Sequence, residues 1–304
     1  HLLPQLQHRR EFKRSQANDG LRQVLWGLFK KMVIADRCAP IVNDIFASAD
    51  TQPASALVIG AALFAFQIYG DFSGYSDIAL GTARLLGIEL LQNFSFPYFS
   101  RDIAEFWRRW HISLSSWFRD YLYIPLGGSR GGTWMKVRNT FIIFLVSGFW
   151  HGAEWTFIAW GGLNALYFLP LLLSNRNRIN MGIVAEGRRL PSLPDVLRMG
   201  MTFALTCIAW VFFRAENMGA ALTYLKGMAD PTLLSPPGLH PGHLPYLLLF
   251  CLLIEWCGRH GRHALDGLTL RSPRPVRWGM YAFIVSLIGM YMSTDEIPFL
   301  YFQF

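Results

Sequence analysis

A histidine surrounded by aromatic residues is the first feature of this chain with the means to do chemistry. His151 lies in the run GFWHGAEW at residues 148–155. Burial disfavours the charged imidazolium, and a neutral ring nitrogen can accept a proton as a general base. A structural histidine fits the same residues, since Gly148 and Gly152 are spaced for close packing of two helices. Both interpretations stay open on the residues alone.

A second histidine lies in a run of aromatic and basic residues, IAEFWRRWHISLSSWFRDYL at 103–122. Its apolar positions recur at helical spacing, which predicts one amphipathic helix on which Glu105 and Arg109 are spaced to pair. The tryptophans indicate a helix anchored at the membrane interface, and a chemical role requires that His111 also points into a cavity. On such a helix His111 shares a face with Trp107, Arg108 and Ser115.

Two aspartates follow the first long apolar run, in GDFSGYSD at 70–77. We expect Asp71 or Ser73 to cap the start of a new helix, while the two glycines permit tight packing. A role for Asp71 and Asp77 in a polar funnel is the alternative.

The glycine-rich segment 127–131 matches the pattern G-x-S-x-G. A nucleophile elbow needs a strand before this pattern and a helix after it, whereas here it lies in a basic loop, so we reject that interpretation. It also fails as a P-loop, because no lysine follows Gly132. The same glycines, with Arg130, Lys136 and Arg138, are suited to binding the phosphates of a nucleotide-like ligand.

No metal site is predicted from the two H-x-x-H pairs at 240–243 and 260–263. Both lie in loops rich in Pro, Gly and Arg, where only Cys257 and Asp266 come near ligand spacing. The four cysteines form no C-x-x-C pair, and we expect them to be small buried apolar residues.

The elements that must position these residues are membrane helices. Of 304 residues, 52% are hydrophobic and 16% are charged, whereas about a quarter are charged in soluble domains. These values and a mean hydropathy of +0.26 exclude a disordered chain, a coiled coil and a disulfide-stapled miniprotein, and disfavour a soluble enzyme. Runs free of charged residues predict about six crossings, at 51–70, 139–153, 155–175, 199–213, 244–254 and 278–294.

The net charge is +8, from 28 basic and 20 acidic residues. The cations form clusters between the apolar runs and not one polar patch, which disfavours a nucleic-acid binder. Segments 84–138, 176–198 and 259–277 hold eight, five and five of them, so we predict three cytoplasmic loops and a periplasmic C-terminus. Segment 24–35, which contains two lysines, is predicted to be an amphipathic helix at the cytoplasmic interface.

The apolar runs on either side of His151 are too short for two full crossings. Residues 139–175 number 37, and two spans of about 20 residues leave no loop between them. We therefore expect the turn at 150–152 to lie within the membrane, where non-helical backbone is tolerated only if it is buried in protein or lines a cavity.

Several long motifs make the chain recognisable. They are GLFKKMVIAD at 27–36, DFSGYSDIALGTARLLGI at 71–88, FSFPYFSRDI at 94–103, FWRRWHISLSSWFRDYLYIPLGGSRGG at 106–132, GFWHGAEWTFIAWGGLNAL at 148–166 and PFLYFQF at 298–304. Together they resemble the membrane-bound O-acyltransferase family, in particular its bacterial alginate-acetylating branch. Members usually begin with several more spans, so we expect N-terminal spans to be absent from this chain.

The resemblance implies an all-α polytopic membrane protein, one domain over residues 1–304, whose helical ring surrounds a thinned centre and a transmembrane tunnel. It implies that His151 is the catalytic histidine and that His111 is the second site histidine, toward the cytoplasmic mouth. An acetyl group would pass from a cytoplasmic thioester, acetyl-CoA, to a hydroxyl of an exported or cell-wall polysaccharide. The transfer would be direct or would use a periplasmic acetyltransferase partner protein. The protein would lie in the bacterial inner membrane without a permanently bound cofactor or a metal.

On the donor side, we expect Arg108, Arg119, Ser129 and Arg130 to hold the phosphates of coenzyme A. The donors to the developing oxyanion are left open among His111, Ser113, Ser115 and Arg119. Two other functions also stay open. One is D-alanyl transfer from a carrier protein to teichoic acid on the same fold, and the other is a polysaccharide export component without chemistry.

Overall fold

The computed structural model describes residues 2–7, 11–267 and 272–292, and within these ranges the regular structure is helical with no β-strand. The prediction of an all-α protein is confirmed. The α-helices are α1 (Leu3–Gln7), α2 (Arg14–Leu28), α3 (Asp36–Ala47), α4 (Ala54–Leu85), α5 (Ile103–Arg109), α6 (Ile112–Phe118), α7 (Gly132–His151), α8 (Trp155–Leu173), α9 (Leu193–Arg214), α10 (Met218–Met228), α11 (Leu244–Gly258) and α12 (Arg274–Tyr291). Two π-helices, Phe29–Ala35 and Arg119–Tyr123, and two 3-10 helices, Pro97–Phe99 and Pro231–Leu234, lie between them.

Helices occur at all six predicted crossings. Of the described helices, α4, α8 and α9 are long and apolar enough to cross a membrane, and α11 is a shorter apolar helix. Helix α7 begins seven residues before the uncharged run at 139–153 and has 20 residues. At 1.5 Å per residue it is about 30 Å long, but its first turns carry Lys136 and Arg138 and it is not among the helices apolar enough to cross. The depth of that turn stays a prediction.

The chain forms two compact units. Unit 1 comprises His1–Pro40, Phe66–Ser95 and Pro241–Gln303, and unit 2 comprises Ile41–Ala65, Phe96–His240 and Phe304. The single domain, the helical ring and the tunnel stay predictions. The acidic residues 295–296 and the motif at 298–304 lie outside the described residues.

Unit 1 is packed through glycines and buried ion pairs. A Cβ on Gly27 would meet the carbonyl oxygen of Gly74 at 2.6 Å, so α2 and α4 touch through their backbones. The ammonium of Lys30 pairs with Asp77 at 2.7 Å, and that of Lys31 pairs with Asp71 at 2.8 Å. Both lysines are buried in the protein, and the location of segment 24–35 at the cytoplasmic interface stays a prediction.

The two aspartates of the GDFSGYSD motif do not cap a helix. Helix α4 runs from Ala54 to Leu85 without a break, so the predicted helix start at Asp71 or Ser73 is wrong. Unpaired lysines and carboxylates are costly to bury, and the pairing of Asp71 and Asp77 with the two lysines accounts for their positions in the helix interior.

Unit 2 contains the two site motifs. Helices α7 and α8 form a hairpin whose turn is only three residues, 152–154. A Cβ on Gly148 would meet the carbonyl oxygen of Phe157 at 2.3 Å, and one on Gly161 would meet that of Phe144 at 2.2 Å. The close helix approach predicted at Gly148 is therefore confirmed. Helix α9 packs beside α8, with the Phe213 ring 5.1 Å from that of Phe157.

The cysteines are mostly as predicted. Cys38, Cys207 and Cys251 are buried, but Cys257 is exposed, so the prediction is wrong for that residue.

Candidate functional site

His111 lies at a break between two short helices. Helix α5 ends at Arg109, Trp110 is extended, and His111 has a left-handed φ of +43° before α6 begins at Ile112. The prediction of one continuous helix over 103–122 is therefore wrong, and so is the helix face that it assigned to His111. Such a φ is uncommon for a residue other than glycine, and backbone strain of this kind often accompanies functional sites.

Both predicted histidines line one small cavity in unit 2, which we call the histidine cavity. Its volume is about 120 Å³, and it is lined by Trp107, Trp110, His111, Leu114, Ser115, Phe118, Ile143, Phe144, Ser147 and His151. The lining is apolar apart from the histidines, two serines and the tryptophan N–H groups. His111 is outside the helices of spanning length, and burial lowers its pKa to about 4. Its imidazole is therefore neutral at pH 7.

Aromatic rings fix the orientation of His151, the last residue of α7. Its ring meets those of Trp160 at 5.3 Å and Phe213 at 5.0 Å, both edge to face. Trp150 lies beside it and also 6.4 Å from the ring of His111. These contacts come from α8 and α9, so three helices hold this one side chain.

A larger cavity of unit 2 carries only positive charge, and we call it the basic cavity. Its volume is about 570 Å³, and no Asp or Glu lines it. It is lined by Arg108, Ser115, Arg119, Tyr123, Ser129, Lys136, Thr140, Ile143, Phe144, Phe168, Leu172, Asn175, Asn177 and Arg178. Four cations with no carboxylate in the cavity lining suit a ligand with several phosphate groups.

The basic and histidine cavities share a wall. Ser115, Ile143 and Phe144 line both. Along α7 the lining residues are spaced by four, four, three and four positions, which keeps them on one helix face. They are Lys136, Thr140, Phe144, Ser147 and His151. This face covers about 22 Å from the ammonium-bearing residue to the histidine.

Arginines of helix α5 are hydrogen-bonded to the loop that follows α8, and this loop forms one side of the basic cavity. The two terminal nitrogens of Arg108 donate to the carbonyl oxygens of Asn177 and Asn180, each at 2.8 Å. Arg101 and Arg109 both donate to the carbonyl oxygen of Gly182, at 2.9 and 3.0 Å.

A buried carboxylate organises this group. Glu105, 1% exposed, accepts hydrogen bonds from Arg101 and from Arg109, the closest at 2.8 Å. The predicted pair of Glu105 with Arg109 is confirmed. Arg108 lines the basic cavity, and both of its terminal nitrogens donate to the loop, so it positions the loop; its contact with donor phosphates stays a prediction.

The other predicted donor-side residues divide into two groups. Arg119 and Ser129 line the basic cavity, where Arg119 also pairs with Asp120 at 2.7 Å. Arg130 is exposed and does not line either cavity. Arg138 donates to the carbonyl oxygen of Leu126, which holds the glycine loop in place.

Arg178 is the cavity cation that the sequence motifs did not indicate. It follows α8 in a segment predicted to be a cytoplasmic loop. The sequence therefore indicated a positive charge there, but not that the side chain lines the cavity. The side chains of Arg178 and Lys136 make no hydrogen bond or ion pair within the described ranges, and both line the basic cavity.

Two of the remaining histidines have structural partners. His263 Nε2 lies 3.1 Å from Asp19 Oδ1, and His243 Nδ1 lies 2.9 Å from the hydroxyl of Tyr291. Within the described part of the chain, no group of three or more His, Cys, Asp or Glu side chains is arranged to hold a metal ion.

Comparison with known proteins identifies the family. Residues 4–213 match the MBOAT, membrane-bound O-acyltransferase family. The chain belongs to this family. Its apolar helices agree with a multi-pass membrane protein, as members of the family are.

Curated relatives of this membrane-bound O-acyltransferase have several acceptors in their names. A probable alginate O-acetylase of Azotobacter vinelandii is 43% identical over 203 residues, which are 67% of this chain and 38% of that protein. A peptidoglycan O-acetyltransferase of Helicobacter pylori is 41% identical over 203 residues, 66% of this chain and 37% of that protein. A teichoic acid D-alanyltransferase of Streptococcus thermophilus is 43% identical over 106 residues, 33% of this chain and 26% of that protein. The chain thus spans less than two-fifths of the length of these relatives.

Proposed function

We propose that this chain is the catalytic part of a membrane O-acyltransferase that moves an acetyl group from acetyl-CoA to a hydroxyl of an exported or cell-wall polysaccharide. The transfer is direct or passes through a periplasmic partner protein. The observation that carries this proposal is the wall shared by the basic and histidine cavities. A thioester whose phosphates bind Lys136 and Arg178 extends its long arm along the face of α7 toward His151.

In this proposal His151 is the general base. Its neutral imidazole accepts the proton of the acceptor hydroxyl as that oxygen attacks the thioester carbonyl. The new C–O bond forms, the C–S bond breaks, and the coenzyme A sulfur leaves and takes the proton back from His151. No oxidant, reductant or metal enters the step.

Charge that develops on the carbonyl oxygen needs a donor. Ser115 and His111 are the best placed of the candidates, because both line the histidine cavity and Ser115 lines the basic cavity as well. Arg119 lines only the basic cavity, and Ser113 lines neither cavity. His111, neutral at pH 7, serves as a hydrogen-bond donor and not as a fixed positive charge.

The proposed orientation follows the charges. The basic cavity faces the cytoplasm, where acetyl-CoA is made, and α7 and α8 meet at the opposite end of their hairpin. The protein lies in the bacterial inner membrane with its C-terminus on the periplasmic side.

D-alanyl transfer to teichoic acid is the second candidate, and the relative of that name supports it. The donor distinguishes the two reactions. Acetyl transfer requires acetyl-CoA, whereas D-alanyl transfer requires a carrier protein charged with alanine, so membranes supplied with each labelled donor in turn separate them.

The test replaces His151 by Ala in the chromosomal gene of the native host. Membrane levels of the protein are matched, and O-acetyl groups on the cell's polysaccharides are quantified by NMR. We expect acetylation to fall by at least about 100-fold, with normal polymer yield, because general-base catalysis contributes about that much. His240→Ala is the control, since His240 is exposed and lines neither cavity.

Unchanged acetylation in His151→Ala would remove that residue from the transfer step. Intact acetylation with lost polymer export would instead support an export component without chemistry.

A further inference from the structure

A third cavity of unit 2 has the opposite charge balance from the basic cavity. Its volume is about 370 Å³, and its polar lining consists chiefly of Asn43, Asp50, Arg214, Glu216 and Thr223. We call it the polar cavity. A more open cleft of about 700 Å³ shares Asp50 and Thr223 with it. Both volumes are within the range of small-molecule sites, about 300 to 1,000 Å³.

The polar cavity lies next to the site but at the other end of the helical hairpin. Arg214 is the last residue of α9, and its neighbour Phe213 packs against His151 at 5.0 Å and against Phe157 near the start of α8 at 5.1 Å. The basic cavity is lined by Leu172 at the end of α8. The 19 residues of α8 cover about 28 Å, so the two cavities mark opposite ends of that helix.

The guanidinium of Arg214 has N–H groups that make no hydrogen bond within the described residues. One terminal nitrogen donates to Asn43 Oδ1 at 2.9 Å, and the guanidinium lies 5.5 Å from the ring of Phe46. Its Nε is buried without a hydrogen-bond partner, and in the described ranges the guanidinium forms no ion pair. A guanidinium has five N–H donors, and unused donors in a buried setting call for an explanation. A ligand oxygen in the cavity supplies one.

The rest of the lining determines which ligand fits. Asp50 and Glu216 are carboxylates that accept no hydrogen bond within the described residues. A phosphate or another simple anion would meet two negative charges there, and a cation would meet Arg214. A polyhydroxylated ligand satisfies both, because its hydroxyl groups donate to the carboxylates and its oxygens accept from the guanidinium.

We propose that the polar cavity binds a sugar unit, with Arg214 donating to its oxygens and Asp50 and Glu216 accepting from its hydroxyl groups. That this sugar belongs to the acceptor of the transfer rests on the proposed function. The open cleft that shares Asp50 gives the neighbouring units of a chain a place to lie.

The cavity wall is preformed. The hydroxyl of Tyr224 donates to the carbonyl oxygen of Leu57 at 2.8 Å, and its ring stacks on Phe46 at 4.3 Å. A Cβ on Gly60 would meet the Tyr224 hydroxyl at 2.6 Å. Helices α3, α4 and α10 are therefore tied together behind Arg214, and ligand binding requires little reordering.

The experiment measures binding without transfer. Exported polysaccharide of the host is de-O-acetylated with mild alkali, cut to short oligosaccharides and labelled at the reducing end with a fluorophore. Binding to the purified full-length protein carrying His151→Ala is followed by fluorescence anisotropy. In that background we expect Asp50→Asn with Glu216→Gln to raise the Kd about 100-fold, since each lost charged hydrogen bond lowers the affinity roughly tenfold.

Asp44→Asn is the matched control. It lies on α3, is exposed, lines none of these cavities and should leave the Kd unchanged. Both sets of carboxylates are at the surface, so the variants should fold equally well. Arg214→Gln should weaken binding further.

Two outcomes would overturn the proposal. One is an equal Kd in the parent and in Asp50→Asn with Glu216→Gln. The other is that the protein carrying only His151→Ala binds no oligosaccharide, as it would if the site belonged to a periplasmic protein. The two proposals can fail separately, because the binding experiment tests the sugar site alone and the acetylation measured in the native host tests the acyltransferase.

Discussion

The basic and polar cavities differ in charge although both belong to unit 2. The basic cavity, near the end of α8, has four cations and no carboxylate. The polar cavity, near the end of α9, has two carboxylates and one cation. A polyphosphate and a sugar differ in the surroundings that suit them, so under the two proposals the charge of each cavity selects its ligand. Between them the histidine cavity is small and nearly apolar.

Under the two proposals, donor binding, transfer and acceptor binding take place in three separate cavities of unit 2. Variants should therefore change one step without the others. The sharpest test removes charge from the basic cavity alone.

We expect Lys136→Gln with Arg178→Gln to raise the KM for acetyl-CoA by about 100-fold, with a much smaller change in kcat. Each side chain contributes about one charged hydrogen bond to a phosphate, worth roughly 1.5 kcal/mol or more, and about 1.4 kcal/mol is tenfold in affinity. Transfer by membranes that contain the full-length protein, titrated with labelled acetyl-CoA, measures both constants.

Arg130→Gln is the control, because Arg130 is equally basic and exposed but lines neither cavity. Oligosaccharide binding at the polar cavity should be unchanged in the double variant. A KM that stays within twofold of the parent would place the donor phosphates elsewhere.

A smaller effect is expected from the carboxylate behind the basic cavity. In Glu105→Gln the buried partner of Arg101 and Arg109 loses its charge. The two arginines are then held less firmly, and their hydrogen bonds to the carbonyl oxygen of Gly182 weaken. We expect the KM for acetyl-CoA to rise several-fold, with kcat nearly unchanged, and trypsin to cut the loop after Arg178 faster.

Glu186→Gln is the matched control for this positioning role, since Glu186 is an exposed carboxylate of the same loop. A general loss of stability would lower the amount of active protein, and hence the maximal rate, without a selective change in KM. Identical trypsin cleavage of the loop in Glu105→Gln and in the parent would contradict this positioning role of Glu105.

The sequence allowed the helices to be predicted, because apolar runs are local signals, and a polar residue within such runs singled out His151, whose catalytic role stays a prediction. The break at His111 had no such signal, since neither glycine nor proline interrupts the run at 103–122. Helical spacing continues through it, and only packing against α7 and α9 accounts for the turn. The burial of Lys30 and Lys31 was missed for a similar reason: the aspartates of α4 that pair with them are 47 and 40 residues away in the chain.

The cavities themselves are assembled from distant segments. In the sequence, Arg178 is one of several arginines in a predicted loop, and Arg214 is the charged residue that ends an apolar run. Their roles depend on which residues the fold brings beside them. For Arg178 these are α7 and the loop held by Arg108, and for Arg214 they are Asn43 and Phe46 of α3.

The smallest expected effect concerns His111 in the histidine cavity, which lies between the two charged cavities. Burial lowers the pKa of His111 to about 4, below the ordinary value of about 6.5. Between these values the unfolded chain binds the proton and the folded one does not, so His111 should cost stability as the pH falls from about 6.5 toward 4. His111→Gln should remove this dependence, so that from pH 7 to pH 5 the parent loses a few degrees more of Tm, roughly, than the variant.

The same variant sharpens the comparison of the cavities. If His111 acts as a neutral donor, His111→Gln keeps an N–H and should lose less transfer activity at pH 7 than His151→Ala. The shape of its rate profile between pH 5.5 and 8 should match that of the parent, because no titration of His111 falls in that range. A parent profile with an inflection near pH 6.5 that disappears in His111→Gln would show a charged His111, and the histidine cavity would then resemble the basic cavity.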